Sequence, residues 1–206
     1  MTAVRSLEFV EMARLVRAAL GQENRYAHSV RVARYAGLLA RRHGLDRGKA
    51  RTAGLLHDLA RLYPKARLLD ECEARRLPIA PYERAHPVLL HAKLGAALAR
   101  EEFGVTDGDV LSAIEKHTTA APVMSPLDCI VYLADALEPA REFAERPRLW
   151  RLALRDLRAA MREVLFLTMQ HYARKGVPAA PPTLEAAAAF GVAAPGAATK
   201  EACASN

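Results

Sequence analysis

The feature that most limits what this chain can fold into is a series of apolar helical stripes, each closed by a helix-stopping residue, with no strand-like run between them. Residues 7–20 alternate apolar and charged side chains at helical spacing. A second helix is expected over about 25–43, stopped by Gly44. Asp46 can cap a third, which the pattern extends through Leu62 to Pro64. The stretch 65–86 is mixed and broken by Pro78 and Pro81. A further helix is expected over 88–103, ending at Gly104. Another is expected over 107–117, where Thr106 and Asp109 resemble a capping box. Ser125, Pro126 and Asp128 read as cap, first-turn proline and third-position acid of a helix over 126–137, stopped by Pro139. One last long helix is expected over 147–175, before Gly176. No alternation of Val, Ile and Thr persists. The expectation is an all-α bundle in one domain, residues 1–186. Beyond Pro181 the chain is Ala-rich; the first turn of that segment can dock, and residues 187–206 form an Ala-rich tail expected to be disordered.

Length and composition agree with that expectation. A chain of 206 residues can bury a substantial core without disulfides. Aromatics are only 6%, while the strong helix formers Ala, Leu and Arg abound. The net charge of +7 favours an anionic partner: nucleic acid, anionic lipid or a phosphorylated small molecule. It is equally consistent with arginines that merely solvate helix faces, so it admits a phosphate substrate without showing one. Cys72, Cys129 and Cys203 are scattered and form no CxxC, which suits a reducing cytoplasm and argues against a disulfide framework. The first twenty residues lack the apolar run and small-residue cleavage site of a secretory signal. No run approaches the roughly 20 apolar residues that span a bilayer. The expected location is therefore cytoplasmic, with no membrane partner.

Chemistry enters with polar residues on apolar stripes. His28 lies in line with Val32, Tyr35 and Leu39, and His57 with Ala50, Ala53 and Gly54. His91 aligns with Leu94, Gly95 and Leu98, and His117 with Val110, Ala113 and Ile114; Asp135 follows Leu127 and Val131. One inward histidine is most often a hydrogen-bonded core residue. Five such places, two of them with an aspartate, call for shared compensation, which a cation would supply. Imidazole and carboxylate suit Fe, Mn, Zn or Co, and the lack of Cys ligands argues against a structural zinc. Neighbouring helical residues point about 100° apart. His57 can therefore serve one metal while Asp58 bridges to a second, about 3.5–4 Å away, as in two-metal phosphoryl chemistry.

Other candidates carry less. His86, before Pro87, reads as a surface or capping residue, His43 as a cation favoured at a helix end, and His171 as structural. Trp150 and Tyr172 read as core or interface. Lys65 and Lys116 could meet phosphate but more often such lysines solvate a face, and Arg25 can brace the site through a salt bridge.

The order His28, His57-Asp58, His91, His117, Asp135 resembles the signature of the HD-domain metal phosphohydrolases, with the two extra histidines of the dinuclear members. The words RYAHS at 25–29, LLHDLAR at 55–61, HAKLGA at 91–96, HTT at 117–119 and YLADALEP at 132–139 resemble the YqeK-type subfamily over roughly residues 7–186. The resemblance implies symmetrical hydrolysis of diadenosine tetraphosphate to two ADP at a dinuclear iron site, with Mn or another divalent metal as the alternative. It implies one metal on His28, His57, Asp58 and Asp135, and a second on Asp58, His91 and His117. A metal-bridging hydroxide would attack an inner phosphorus. Asp58 and Arg61 would be catalytic, and Arg61, Thr118, Thr119 and Arg141 would contact substrate. Arg61 stands where the subfamily usually has lysine, which keeps the charge but changes the donor geometry. Ala120 replaces a common glycine after HTT, Ala136 an aromatic after the final Asp, and Ala140 a polar residue. The implied partner is a small nucleotide polyphosphate rather than nucleic acid, and a homodimer is open. Rival readings are a nucleotide phosphomonoesterase or guanosine polyphosphate hydrolase on the same metals, and a non-catalytic nucleotide- or RNA-binding module. No RNP-like word or basic tail supports the last.

Overall fold

Eleven α-helices and no strand make up the regular structure of residues 8–193, the part of the chain that the computed structural model describes. They are α1 (Phe9–Leu20), α2 (Glu23–Arg42), α3 (Arg47–Leu56), α4 (Lys65–Ala74) and α5 (Pro81–Ala85). A 3-10 turn, Pro87–Leu89, leads into α6 (Leu90–Phe103) and α7 (Gly108–Lys116). Then come α8 (Pro126–Leu137), α9 (Arg146–Ala153), α10 (Leu157–Lys175) and α11 (Pro181–Ala189). The expected all-α class is what the chain adopts. None of the described helices is long and apolar enough to cross a membrane.

The middle element is α8. Ile130, Val131, Leu133, Ala134 and Leu137 are fully buried, and the helix packs against α2, α3, α7, α9 and α10. A helix apolar on nearly all sides has no solvated face to present, so its place is the core. Each buried Ile, Leu or Val side chain there contributes about 1.5–3 kcal/mol. Its start is fixed by the expected capping box: the Ser125 hydroxyl accepts from Asp128 N–H at 3.1 Å, and Asp128 accepts from Ser125 N–H at 2.8 Å. Lys116 Nζ, 2.9 Å from Asp128 Oδ2, balances this buried carboxylate. Lys116 is thus a brace rather than a phosphate ligand.

The pair α2 and α3 brings the first ligands together. A Cβ placed on Gly54 would lie 2.9 Å from Ala33 Cα, closer than real Cβ atoms come. Only glycine lets α3 approach α2 so closely, and that approach sets His57 beside His28.

Several expected boundaries move. The third helix ends at Leu56, and residues 57–63 tighten into 3-10-type turns, with Leu59 N–H donating to Leu56 O and Arg61 N–H to Asp58 O. His57 and Asp58 therefore sit on a turn beyond the helix, and the 100° helical argument does not apply to them. The long final helix is two: the chain turns at 154–156, and Asp156 caps α10 by accepting from Ala159 N–H at 2.9 Å. Asp107, not Thr106, caps α7, through Asp109 N–H and Val110 N–H. The packed unit also continues past residue 186, because Ala187, Phe190 and Val192 are buried in the core. The rest of the expected tail, 194–206 with Cys203, lies outside the described residues. His43 Nε2 bonds to Ala153 O at 2.7 Å, tying α2 to α9. His86 is exposed against Tyr82, and Trp150 packs on Tyr35. His171, expected to be structural, is exposed.

Candidate metal centre

Six side chains from α2, the turn after α3, α6, the end of α7 and α8 converge on one buried point. Three overlapping groups bring their ligand atoms within 4.8 Å of one another: His28, His57 and Asp58; His57, His117 and Asp135; and Asp58, His91 and His117. Asp58 divides the centre. Its Oδ2 faces His57 Nε2 at 3.4 Å and His28 Nε2 at 3.7 Å, and Asp135 Oδ1 lies 3.1 Å from His28 Nε2. Its Oδ1 faces His91 Nε2 at 3.4 Å and His117 Nε2 at 3.7 Å. One carboxylate is thus presented to two clusters, oxygen by oxygen.

The other ring nitrogens decide what kind of ligand can enter. His57 Nδ1 lies 2.8 Å from Gly54 O, His91 Nδ1 2.5 Å from Val88 O, and His117 Nδ1 2.7 Å from Ile114 O. Each partner is the carbonyl three residues earlier. For His57 and His117 it is a last-turn carbonyl freed because the helix ends there. A carbonyl only accepts, so each Nδ1 carries the proton. His28 Nδ1 lies 3.2 Å from Glu138 Oε1, a carboxylate, with the same consequence. In the neutral rings every Nε2 is then a bare lone pair. Yet His28 Nε2 and His57 Nε2 are 3.3 Å apart, and His91 Nε2 and His117 Nε2 are 3.2 Å apart. Two acceptors at that distance repel unless a proton or a metal ion lies between them. The donor set fits divalent cations, with outer partners of the kind that orient metal-binding imidazoles.

Titration follows the same division. Burial disfavours the Asp58 anion, but His57, His117 and His91 more than reverse this and hold its pKa well below the ordinary carboxylate range. Asp135 is likewise lowered against burial, by His28, His57 and Arg141. His57 rises above the ordinary imidazole value, because Asp58 and Asp135 outweigh its burial, whereas burial keeps His117 below it.

Around the centre lies a cavity of about 370 Å³, lined by Arg25, Arg61, Thr118, Tyr132, Arg141 and Thr168 beside the ligands. Arg25 Nη1 sits 2.7 Å from Asp58 Oδ2, the brace its position suggested. Arg141 Nη2 sits 2.7 Å from Asp135 Oδ1. Arg61 forms no ion pair among the described residues. The Thr118 hydroxyl is 3.1 Å from His91 Nε2 and 3.0 Å from His117 Nε2, against the second cluster. Thr119 goes elsewhere: its hydroxyl donates to Ala120 O, and it lines a neighbouring cavity of about 450 Å³. Lys65 is exposed and does not line the metal cavity.

Sequence reasoning missed four contributors: Glu138, Arg31, Tyr132 and Thr168. Glu138, 2% exposed, holds His28 and is itself held by Arg31 Nε at 2.6 Å and Ala140 N–H at 2.8 Å. Buried Tyr132 lines the cavity, its phenol pushed up to about 12 by burial, so it remains a donor. Thr168 joins from α10. Helical spacing from Asp135 could have flagged Tyr132; nothing local marks Arg31 or Thr168.

This fold and site define a member of the HD domain family, whose model matches residues 25–140; the chain belongs to that family and is an HD-domain hydrolase. Two relatives named "Bis(5'-nucleosyl)-tetraphosphatase, symmetrical" share most of its length. The one from Bacillus subtilis is 37% identical over 161 residues, 78% of this chain and 86% of that protein. The one from Halalkalibacterium halodurans is 38% identical over 164 residues, 79% of this chain and 86% of that protein. Among solved structures, a predicted HD superfamily hydrolase involved in NAD metabolism from Clostridium acetobutylicum matches with a TM-score of 0.85 at 34% identity, covering 89% of this chain and 97% of that one.

Proposed function

We propose that the chain hydrolyses diadenosine tetraphosphate symmetrically to two ADP at a dinuclear metal centre, iron first and manganese next. One cation would be held by His28, His57, Asp58 and Asp135, the other by Asp58, His91 and His117. The observation that carries this reading is the two pairs of facing Nε2 lone pairs on either side of one carboxylate. The names of the Bacillus and Halalkalibacterium relatives support the substrate. When bound, a pair of divalent cations would acidify water and neutralise charge on phosphoryl oxygens.

The chain's own residues do the rest. Arg61, paired with no carboxylate among the described residues, is the guanidinium that lines this cavity towards a polyphosphate, and its planar fork suits two phosphoryl oxygens. Arg141 and Arg25 hold Asp135 and Asp58 and add positive potential at the same wall. Thr118 and Tyr132 supply hydroxyl donors towards the transferred group. ADP is a good leaving group, so no strong general acid is required. Thr119 lines the neighbouring cavity instead and is assigned no part in this chemistry.

The test is anaerobic purification, metal analysis and a substrate panel scored for ADP release. Two metals per chain with ADP as the single product from diadenosine tetraphosphate supports the proposal. Turnover only of nucleoside monophosphates or guanosine polyphosphates overturns the substrate. Tight, salt-dependent RNA binding without turnover overturns the enzymatic reading.

A further inference from the structure

The chemistry at the metals leaves most of the chain's positive charge unused. No acidic residue stands between Glu23 and Asp46, nor between Glu145 and Asp156; these stretches hold all of α9 and all but the first residue of α2. Asp46 and Asp156 serve their own helix starts, accepting from Lys49 N–H and Ala159 N–H. The two helices lie side by side. Tyr35 packs on Trp150 with ring centroids 4.4 Å apart, and His43 is tied to the Ala153 carbonyl.

Arg34, Arg41 and Arg42 of α2, Arg47 of α3, and Arg151 and Arg155 in and after α9 are all exposed. Among the described residues none of the six meets a carboxylate, whereas Arg31 and Arg148 on the same two helices are taken by Glu138 and Glu163. Arg34 and Arg41 share a stripe with Gly37. The stem of Arg47 crosses that stripe, since a Cβ on Gly37 would lie 3.4 Å from its Cγ. Helix dipoles favour Arg41, Arg42 and Arg151 in last turns but disfavour Arg47 at the first position of α3. Dipole compensation therefore does not account for the cluster.

Within the cluster, Leu38, Arg41, Arg42, Trp150 and Leu154 line a recess of about 370 Å³. It shares no residue with the metal cavity. Arg41 lies about 20 Å along α2 from His28, at a rise of about 1.5 Å per residue. An indole in a recess rimmed by guanidinium groups offers a stacking face and countercharge together. An acidic peptide would use the arginines and leave the indole idle. A lipid surface calls for protruding apolar side chains, and here Leu38, Trp150 and Leu154 are half-buried. We propose that this face of α2 and α9 is a docking surface for single-stranded nucleic acid. One base stacks on Trp150 while flanking phosphates meet the arginines. The surface is separate from the proposed metal chemistry and does not rest on it.

Trp150 is the chain's one tryptophan, so its fluorescence reports on this face alone. The probes are single-stranded RNA and DNA of one mixed sequence, about 16 nucleotides long, the matching duplex, and polyglutamate, each titrated into the metal-loaded full chain. A single strand should quench Trp150, and log K should fall with log salt by about 0.7 per phosphate neutralised. Arg41→Gln with Arg42→Gln should lower that slope by about 1.4 and weaken binding roughly tenfold, with metal content and ADP release unchanged. Lys65→Gln with Arg100→Gln removes the same charge from α4 and α6 and should leave affinity within about twofold. Three results overturn the surface: no quenching by either strand, equal quenching by polyglutamate or duplex, or both double variants weakening the strand alike. If a strand binds as expected but diadenosine tetraphosphate is not cleaved, the proposed activity fails and the surface stands.

Discussion

On one side of Asp58, His28 is gripped by Glu138 and Asp135 by Arg141. On the other, His91 and His117 are held by the carbonyls of Val88 and Ile114 and met by the Thr118 hydroxyl. The first cluster draws on two carboxylates, the second on a share of one. A cation gains most where formal charge converges and where its ligands are already fixed. The proposed centre should therefore load in two steps, the His28 side before the His91 side.

The largest effect should come from removing what the halves share. Asp58→Ala should lose both metals and all turnover, as read by elemental analysis and ADP release. Next, His91→Ala should cost one metal and retain the other. Its activity loss should exceed the roughly 10–100-fold that follows removal of an outer hydrogen-bond partner. His28→Ala should cost the tighter metal, so equal retention in the two variants would erase the asymmetry. Glu138→Gln should weaken only the first loading step, by roughly 10–100-fold, as followed by competition with a chelator.

Protons should report the same division in metal-free protein. His57 should titrate above an ordinary histidine and His117 below it, by nuclear magnetic resonance. The signs follow from linkage. The His57 contribution to stability is present below its unfolded pKa and lost as pH rises through the raised folded value. The His117 contribution is present above its unfolded pKa and lost as pH falls through the lowered folded value. The smallest effect concerns the turn after His117. Ala120 is buried with φ +58°, in the left-handed region. Ala120→Gly should raise stability by about 1 kcal/mol in denaturant unfolding.

Much of this was legible in the sequence, for physical reasons. Periodicity places side chains on faces, so His28, His91 and Asp135 on apolar stripes declared themselves. Ser125 and Asp128 announced the start of α8, because a capping box is written in four consecutive residues. The glycine expected where Ala120 stands corresponds to a backbone angle that only glycine takes freely. What stayed hidden depends on distant packing. The early end of α3 follows from Gly54 O serving His57 instead of continuing the helix. Glu138 sits before Pro139 and reads as a surface charge until α2 covers it with Arg31 and His28. The separation of Thr118 from Thr119 depends on a turn whose sharpness adjacent residues do not disclose.

The central proposal is that one carboxylate joins two cations. X-ray absorption on anaerobically loaded protein, alongside metal counting, tests this directly. Two ions per chain are expected, with a metal–metal vector of about 3.5–4 Å that is absent from Asp58→Ala. A single ion, or an ion pair that survives in Asp58→Ala, would contradict it.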